Sequence, residues 1–187
     1  PQRQAIGGGQ RIYKYRQAIA EADTQRPLIV SKDYSRDENG GDLVLWSRFV
    51  SGAASARFHR PAGDNPESVI VFQHEAIKRL GRFIAEVPFW QMHPSPDLVL
   101  ELPEGAGANV LADDSSVCVV QLVGVSNGGS VHLGLQPGTW QVRWIDPSTG
   151  NEISRSEVPV SGTSFQLDFP EGPDHRVILL KKTTEGV

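Results

Sequence analysis

The sequence predicts an α/β part followed by an all-β part: the tail of a (β/α)8 barrel, or TIM barrel, joined to a small antiparallel β-sandwich. Two observations carry this prediction. Residues 10–87 alternate helical patterns with short apolar strands, whereas the chain from residue 98 onward contains short strands separated by turn signals. A third observation places the boundary, because the two prolines of Pro94-Ser95-Pro96 disfavour helix. We therefore divide the chain into residues 1–94 and 95–187.

Two short strands separate the helical patterns of the first part. Pro27–Ser31 is a short apolar run, which is typical of a strand buried on both faces. Ser55–His59 follows the small residues Gly52-Ala53-Ala54. Each strand leads through a polar segment into a helix, so we expect the two strands to be parallel. Two strands alone leave both sheet edges unpaired, so we expect either a fragment or another chain that supplies the missing strands.

Three helical patterns surround these strands. Lys32–Gly41 is predicted to be a polar loop, and Asp42 is expected to cap the helix after it. Asn65 and Pro66 mark the start of the third helix, which is predicted to run to about Glu86. Apolar residues at helical spacing predict the buried positions of the three helices. These are Ile12, Tyr15, Ile19 and Ala22; Leu43, Leu45, Trp46, Phe49 and Val50; and Ile70, Ile77, Leu80, Phe83 and Ile84.

The second part is predicted to form about seven short strands, which is typical of a small β-sandwich. In one of them Trp140, Val142 and Trp144 share a face, so we expect them in the core rather than in an exposed sugar-binding row. The predicted strands are Val110–Ala112, Val117–Val123, Ser130–Leu135, Trp140–Asp146, Glu152–Val158, Ser164–Phe169 and His175–Lys181.

Composition argues against several classes of partner. The formal net charge is -4 and no basic block is present, so a nucleic-acid partner is not expected. No apolar run is long enough to cross a membrane, so no membrane partner is predicted. Cys118 is a single cysteine in an apolar run, which predicts a small core residue and excludes a cysteine-based zinc site. His74 and His93 lack partners at ligand spacing, and we predict neither a metal nor a cofactor.

An ordered set of motifs resembles one protein family and spans most of residues 24–182. The chain is similar to the C-terminal part of apiosidase-like bacterial glycoside hydrolases. In that family a (β/α)8 barrel is followed by a β-sandwich that is labelled a collagen-binding domain of a collagenase, although collagen binding does not follow from the label. The motifs are Trp46 with Gly52-Ala53-Ala54, Arg57-Phe58-His59-Arg60-Pro61, Pro88-Phe89-Trp90-Gln91-Met92, Asp97-Leu98, Val142–Gly150 and Val177–Lys181.

The resemblance implies that Pro27–Ser31 is barrel strand seven and Ser55–His59 is strand eight, the last two βα units. It also implies a carboxylate nucleophile at the end of strand seven and an acid/base residue after strand four, outside this chain. Lys32 and Asp33 stand where a glutamate is expected. Either Asp33 serves as the nucleophile, or Lys32 occupies the position of the glutamate. Lysine cannot be the nucleophile of this mechanism, so the second alternative implies an inactive site.

Other candidate site residues cluster near the same strand ends, where barrel active sites lie. Arg57 and His59 project to the same side of a strand. They are expected to bind sugar hydroxyls, to orient the carboxylate through a hydrogen bond, or to pair with barrel acids for structural reasons. Tyr34 is expected to stack on a sugar ring or to pack within its loop. Asp37 and Glu38 form a solvated pair or, as part of that loop, line the substrate cleft.

These observations favour the C-terminal portion of a retaining glycoside hydrolase that acts on poly- or oligosaccharides. Its expected partners are a carbohydrate substrate and a second polypeptide, or a missing N-terminal segment, that completes the barrel. The family implies a secreted or periplasmic bacterial protein. Two alternatives stay open: a non-catalytic glycan-binding or scaffolding protein with a degenerate barrel site, and a structural accessory module. In each case Phe89, Trp90 and Met92 are expected to seal the contact between the two parts.

Overall fold

The computed structural model describes residues 9–22, 26–33, 38–58, 66–113 and 115–183. The first part of the chain contains three helices and two strands that alternate along the sequence. In order they are α1 (Gly9–Glu21), β1 (Ile29–Asp33), α2 (Glu38–Val50), β2 (Ser55–Phe58) and α3 (Pro66–Ile84). Strands β1 and β2 pair in parallel, so the predicted parallel arrangement is confirmed.

Two boundaries in this part differ from the sequence prediction. Strand β1 extends to Asp33, so Lys32 and Asp33 lie within the strand and not in a loop after it. The pairing of Asp33 with Phe58 in β2 carries the strand this far. Helix α2 begins at Glu38, so the prediction that Asp42 caps this helix is wrong. Asp42 lies inside the helix, where its carboxylate accepts two hydrogen bonds from the Arg79 guanidinium of α3.

The second part forms two antiparallel sheets. Six strands have the order β3-β5-β6-β11-β8-β9, and three strands have the order β10-β7-β4. All seven predicted strands are present, and the sequence prediction missed β3 and β4. The proline of β3 is compatible with its place at the sheet edge. The strands are β3 (His93–Pro94), β4 (Val99–Glu101), β5 (Gly107–Ala112), β6 (Val117–Val123), β7 (Ser130–Leu133), β8 (Gly138–Ile145), β9 (Glu152–Val160), β10 (Phe165–Asp168) and β11 (Arg176–Lys182).

The six-stranded sheet buries apolar residues on both faces. One face shares a core with the three-stranded sheet, and this core contains Trp140, Val142 and Trp144, as predicted. The other face packs against α2 and α3 through residues such as Val119 and Leu179. Burial on both faces explains why β6 and β11 are nearly continuous apolar runs with no alternation. The sheet therefore connects the helical part to the rest of the chain through a continuous apolar contact.

The predicted buried face is correct for α2 apart from Leu43, and it is correct only in part for α1 and α3. Trp46 of α2 is fully buried and meets Phe83 of α3 edge to face, with 4.8 Å between the ring centroids. Three expectations are wrong, because Tyr15 is 48% exposed, Ile77 is 45% exposed and Ala22 is also exposed. The α3 positions that face α2 and the sheet are Ala76, Leu80 and Phe83, whereas Ile77 lies beside a groove along β2. Ala22 is exposed, Ile19, Leu43 and Ile84 are half-buried, and the Ile70 side chain lies outside the described residues.

Candidate functional site

The carboxyl ends of β1 and β2 lie side by side. The register pairs Ile29 with Ser55, Val30 with Ala56 and Asp33 with Phe58, with an irregularity between Val30 and Asp33. Because the strands are parallel, their carboxyl ends lie at the same end of the sheet. This pairing brings the backbone of Asp33 next to the strand that carries Arg57.

Arg57 lies across the two strands. Its Nε donates a hydrogen bond to the backbone carbonyl of Ser31, at 2.9 Å. Ala56 packs on the helical side of this small sheet, whereas Ser55 and Arg57 are exposed. Arg57 therefore belongs to the open face, and it reaches β1 two residues before Asp33. The pairing of the two strands therefore places the backbone of Asp33 close to Arg57, and both are predicted site residues.

The other predicted site residues are placed only in part. Tyr34 and His59 lie outside the described residues, as do the side chains of Lys32, Asp33 and Glu38. By backbone, Glu38 is the first residue of α2 and not a loop residue. The structure therefore places the strand of Lys32 and Asp33 beside the strand of Arg57 and leaves the roles of their side chains as predictions.

A groove of about 680 Å³ lies at the opposite, amino-terminal ends of β1 and β2. We call it the Trp90 groove; its lining includes Arg16, Arg26, Pro27, Phe49, Phe89 and Trp90. The expectation that Phe89 and Trp90 seal an internal contact is wrong, because they are 38% and 71% exposed. Met92 is 7% exposed and does take part in the apolar contact. The segment around Trp90 is mostly apolar, so its sequence gave no sign of which aromatic ring faces water.

A smaller apolar groove of about 200 Å³ runs along β2. We call it the β2 groove; it lies between α2, α3 and the strand, and its lining includes Phe49, Ala56, Ile77, Leu80, Gly81 and Ile84. Gly81 faces open space there, since a Cβ at this position would meet nothing within 4 Å. The groove is continuous with the apolar cluster that joins α2 and α3 to the six-stranded sheet.

A chain of polar side chains crosses the contact between α2 and the six-stranded sheet. Asn109 donates to Gln121 Oε1 at 2.9 Å, and Gln121 Nε2 donates to the carbonyl of Leu43 in α2 at 3.2 Å. Gln121 Nε2 also lies 3.0 Å from Nε2 of His175. Burial lowers the pKa of His175 from 6.5 to about 4, although Asp174 and Asp146 act in the opposite direction. Sequence reasoning missed this network because Gln121 is one polar residue in an apolar strand.

A second buried polar contact joins α2 to α3. Arg79 Nη2 lies 2.9 Å from one carboxylate oxygen of Asp42 and 2.8 Å from the other. Burial raises the pKa of Asp42 above its usual value even though Arg79 acts to lower it. Each side chain gives the other a hydrogen-bond partner in the interior. The loss of water around the Asp42 carboxylate nevertheless raises its pKa more than the attraction of the guanidinium lowers it.

The described part of the chain contains no cluster of three or more histidine, cysteine, aspartate or glutamate residues that could hold a metal ion. Among the described helices, none has the length and apolar character needed to cross a membrane.

Cys118 is buried, as predicted, and burial raises the pKa of its thiol to about 12. Such a thiol is a structural residue, because the reactive thiolate is strongly disfavoured at neutral pH.

Several solved structures that share this fold are described as glycoside hydrolases. One, described as a glycoside hydrolase, has a TM-score of 0.67 at 10% identity, over 93% of this chain and 46% of that one. A family 5 glycoside hydrolase from Bacteroides vulgatus has a TM-score of 0.66 at 9% identity, over 91% of this chain and 44% of that one. Over the part that they share, this chain has the fold of these two structures.

A third structure is a GH30 endoxylanase from Clostridium papyrosolvens. It has a TM-score of 0.52 at 10% identity and covers 89% of this chain and 45% of that one. This chain thus spans less than half the length of the three glycoside hydrolases. No family model matches the sequence, and no curated protein matches it. At these identities the likeness is one of fold.

Proposed function

We propose that this chain is the C-terminal portion of a retaining glycoside hydrolase that acts on poly- or oligosaccharides. In this proposal residues 1–94 supply the last two βα units of a barrel, and residues 95–187 form a β-sandwich. The observation that carries the proposal is the parallel pairing of β1 and β2, which brings Asp33 beside the strand of Arg57. The pairing occurs in a fold shared with glycoside hydrolases. Barrel active sites lie at this end of the strands.

Asp33 is the proposed nucleophile. A retaining glycosidase needs one carboxylate to attack the anomeric carbon and a second to protonate the leaving oxygen, about 5–5.5 Å away. The second carboxylate is proposed to come from a part of the protein outside this chain. Arg57 is proposed to contact sugar hydroxyls or to orient Asp33, together with His59. Tyr34 and Glu38 are proposed to line the substrate cleft from the segment that follows β1.

The surfaces around β1 and β2 support completion of the barrel by further strands and helices. Ile29 of β1 is 61% exposed on the open face of the two-stranded sheet. Val71 and Ile77 of α3 are 62% and 45% exposed, and Ile77 lines the β2 groove. Apolar surface of this kind marks a contact with another part of a protein. A neighbouring strand and helix of the same barrel would cover it.

Lys32 favours a second candidate function. A lysine directly before Asp33 stands where the family resemblance implies a catalytic glutamate. If Lys32 holds that position, the site binds glycans or supports an assembly without hydrolysis. The two functions differ in whether Asp33 or Lys32 occupies the position of the nucleophile.

Hydrolysis of a glycan library by the protein that contains this chain separates the two functions. If Asp33 is the nucleophile, Asp33→Asn lowers kcat by at least about 10³-fold, whereas Lys32→Met changes it little. The matched control is Asp97→Asn, which alters an exposed carboxylate in the second part of the chain. An inactive wild-type protein that still binds the same glycans, and that gains hydrolysis with Lys32→Glu, would instead establish the degenerate site.

A further inference from the structure

We propose that the Trp90 groove binds an acidic oligosaccharide, with a sugar ring on Trp90 and the carboxylate of a uronic acid residue on Arg16 and Arg26. The groove lies at the amino-terminal ends of β1 and β2, away from Asp33 at their carboxyl ends. It is therefore a second site, which goes beyond the proposed hydrolysis. The inference rests on the proposed function only for the class of ligand, a carbohydrate.

Trp90 provides an apolar platform. Its side chain is 71% exposed, and Phe89 meets it edge to face with 5.5 Å between the ring centroids. An indole with this much area in water gains free energy when a flat apolar surface covers it. The C–H face of a pyranose ring is such a surface. Phe89 limits the orientations of the indole, so less entropy is lost on binding.

Arg16 and Arg26 give the groove its charge. Arg16 Nη1 donates to the backbone carbonyl of Arg26 at 3.3 Å, which places the two residues side by side. Arg16 Nε is buried and has no hydrogen-bond partner within the described part of the chain. The described lining contains no aspartate or glutamate. Two guanidinium groups in one wall favour an anion, and their planar geometry suits a carboxylate.

The size and mixed chemistry of the groove favour a small acidic sugar over a polypeptide segment. Its volume of about 680 Å³ lies within the range of small-molecule pockets. An apolar helix would cover Trp90 and Phe49 but would leave the charges of Arg16 and Arg26 unpaired. A uronate-containing chain satisfies both the aromatic platform and the arginines.

The test uses trigalacturonic acid as the acidic probe and cellotriose as the neutral probe. Trp46, Trp140 and Trp144 are buried, so quenching of tryptophan emission by acrylamide reports mainly on Trp90. We expect trigalacturonic acid to protect Trp90 from quenching, with at least 10-fold weaker binding of cellotriose. Binding of the acidic probe should weaken as NaCl is raised from 50 to 500 mM, because salt screens exposed charges.

Variants measured by isothermal titration calorimetry locate the site. Trp90→Ala and Arg26→Ala should each raise the Kd for trigalacturonic acid at least 10-fold, and Arg82→Ala, an exposed arginine of α3, should not. Equal binding of both probes, or binding unaffected by Arg26→Ala, overturns the acidic specificity. Absence of binding by either probe overturns the site.

The outcome is independent of the proposed catalytic site. Binding is measured again in the Asp33→Asn protein, where the Kd for trigalacturonic acid should be unchanged. If the wild-type protein hydrolyses no glycan but binds the acidic probe through Trp90, the proposed enzyme is wrong and the groove stands. If hydrolysis depends on Asp33 and the acidic probe does not bind, the proposed enzyme stands and the proposed groove site is wrong.

Discussion

Acidification should loosen the contact between α2 and the six-stranded sheet through His175. Neutral His175 accepts a hydrogen bond at Nε2 from the amide nitrogen of Gln121, whose oxygen is already used by Asn109. The same amide nitrogen also donates to Leu43 of α2. Protonation of His175 Nε2 would place two donors against each other in a buried site, which costs the hydrogen bond and buries a charge.

The magnitude follows from the two pKa values. Burial lowers the pKa of His175 from 6.5 to about 4 in the folded protein, and the gap of about 2.5 pH units corresponds to about 3 kcal/mol. Between these values the unfolded chain binds more protons than the folded one. The contribution of His175 to stability is therefore complete above pH 6.5. It falls as the pH is lowered toward 4 and does not change further below that pH.

Urea denaturation at a series of pH values between 7 and 4 measures this effect. The wild-type protein should lose about 2–3 kcal/mol more stability over this range than His175→Gln, which keeps a polar group but no titrating imidazole. The comparison cancels groups common to both proteins, including Asp42, whose raised pKa acts in the opposite sense. Equal pH dependence of the two proteins, or an imidazole that titrates near 6.5 by NMR, would refute the reasoning.

Three further predictions concern local packing. Arg79→Met leaves Asp42 buried without its partner and should lower the free energy of unfolding in urea by about 3–5 kcal/mol. The double variant with Asp42→Leu should recover most of this loss, and a recovery of less than half contradicts the prediction. Gly52→Ala should cost about 2 kcal/mol or more by the same measurement, because Gly52 has a φ of 90° and an added Cβ lies 2.6 Å from Pro94 Cγ. The control is Gly162→Ala, where the same atom meets nothing within 4 Å and φ is not positive. The Cys118 thiol should react with a thiol reagent at pH 8 only on unfolding, since burial raises its pKa to about 12; a fast reaction with the folded protein would show local opening.

Much of the fold could be predicted because the signals were local. The alternation around Trp140, Val142 and Trp144 predicts one apolar face, and these residues are buried. Ile77 and Asp42 show where local reasoning fails. A helical pattern marks Ile77 as apolar but does not say which neighbour covers it, and Asp42 forms a pair with Arg79 instead of capping a helix because a guanidinium reaches it from another helix.

The location of the candidate site was predictable from the sequence, but the contacts within it were not. Short strands followed by polar residues indicated that Asp33 and Arg57 belong near each other, and the parallel register supplies that proximity. The hydrogen bond from Arg57 to Ser31 was not predictable, since it depends on the register of two strands separated by a helix. The exposure of Trp90 was also missed, because an aromatic residue in an apolar segment has the same sequence pattern whether it faces the core or water.

The sequence by itself determined the order of helices and strands, the positions of most turns and the apolar faces of single strands. These depend on the geometry of neighbouring residues, which repeats every two residues in a strand and every 3.6 in a helix. Only the tertiary structure decided which residues become partners. Gln121 meets His175 across 54 positions, and Arg79 meets Asp42 across 37. Such contacts depend on how whole elements pack, and packing is set by the sum of many distant contacts rather than by any local pattern.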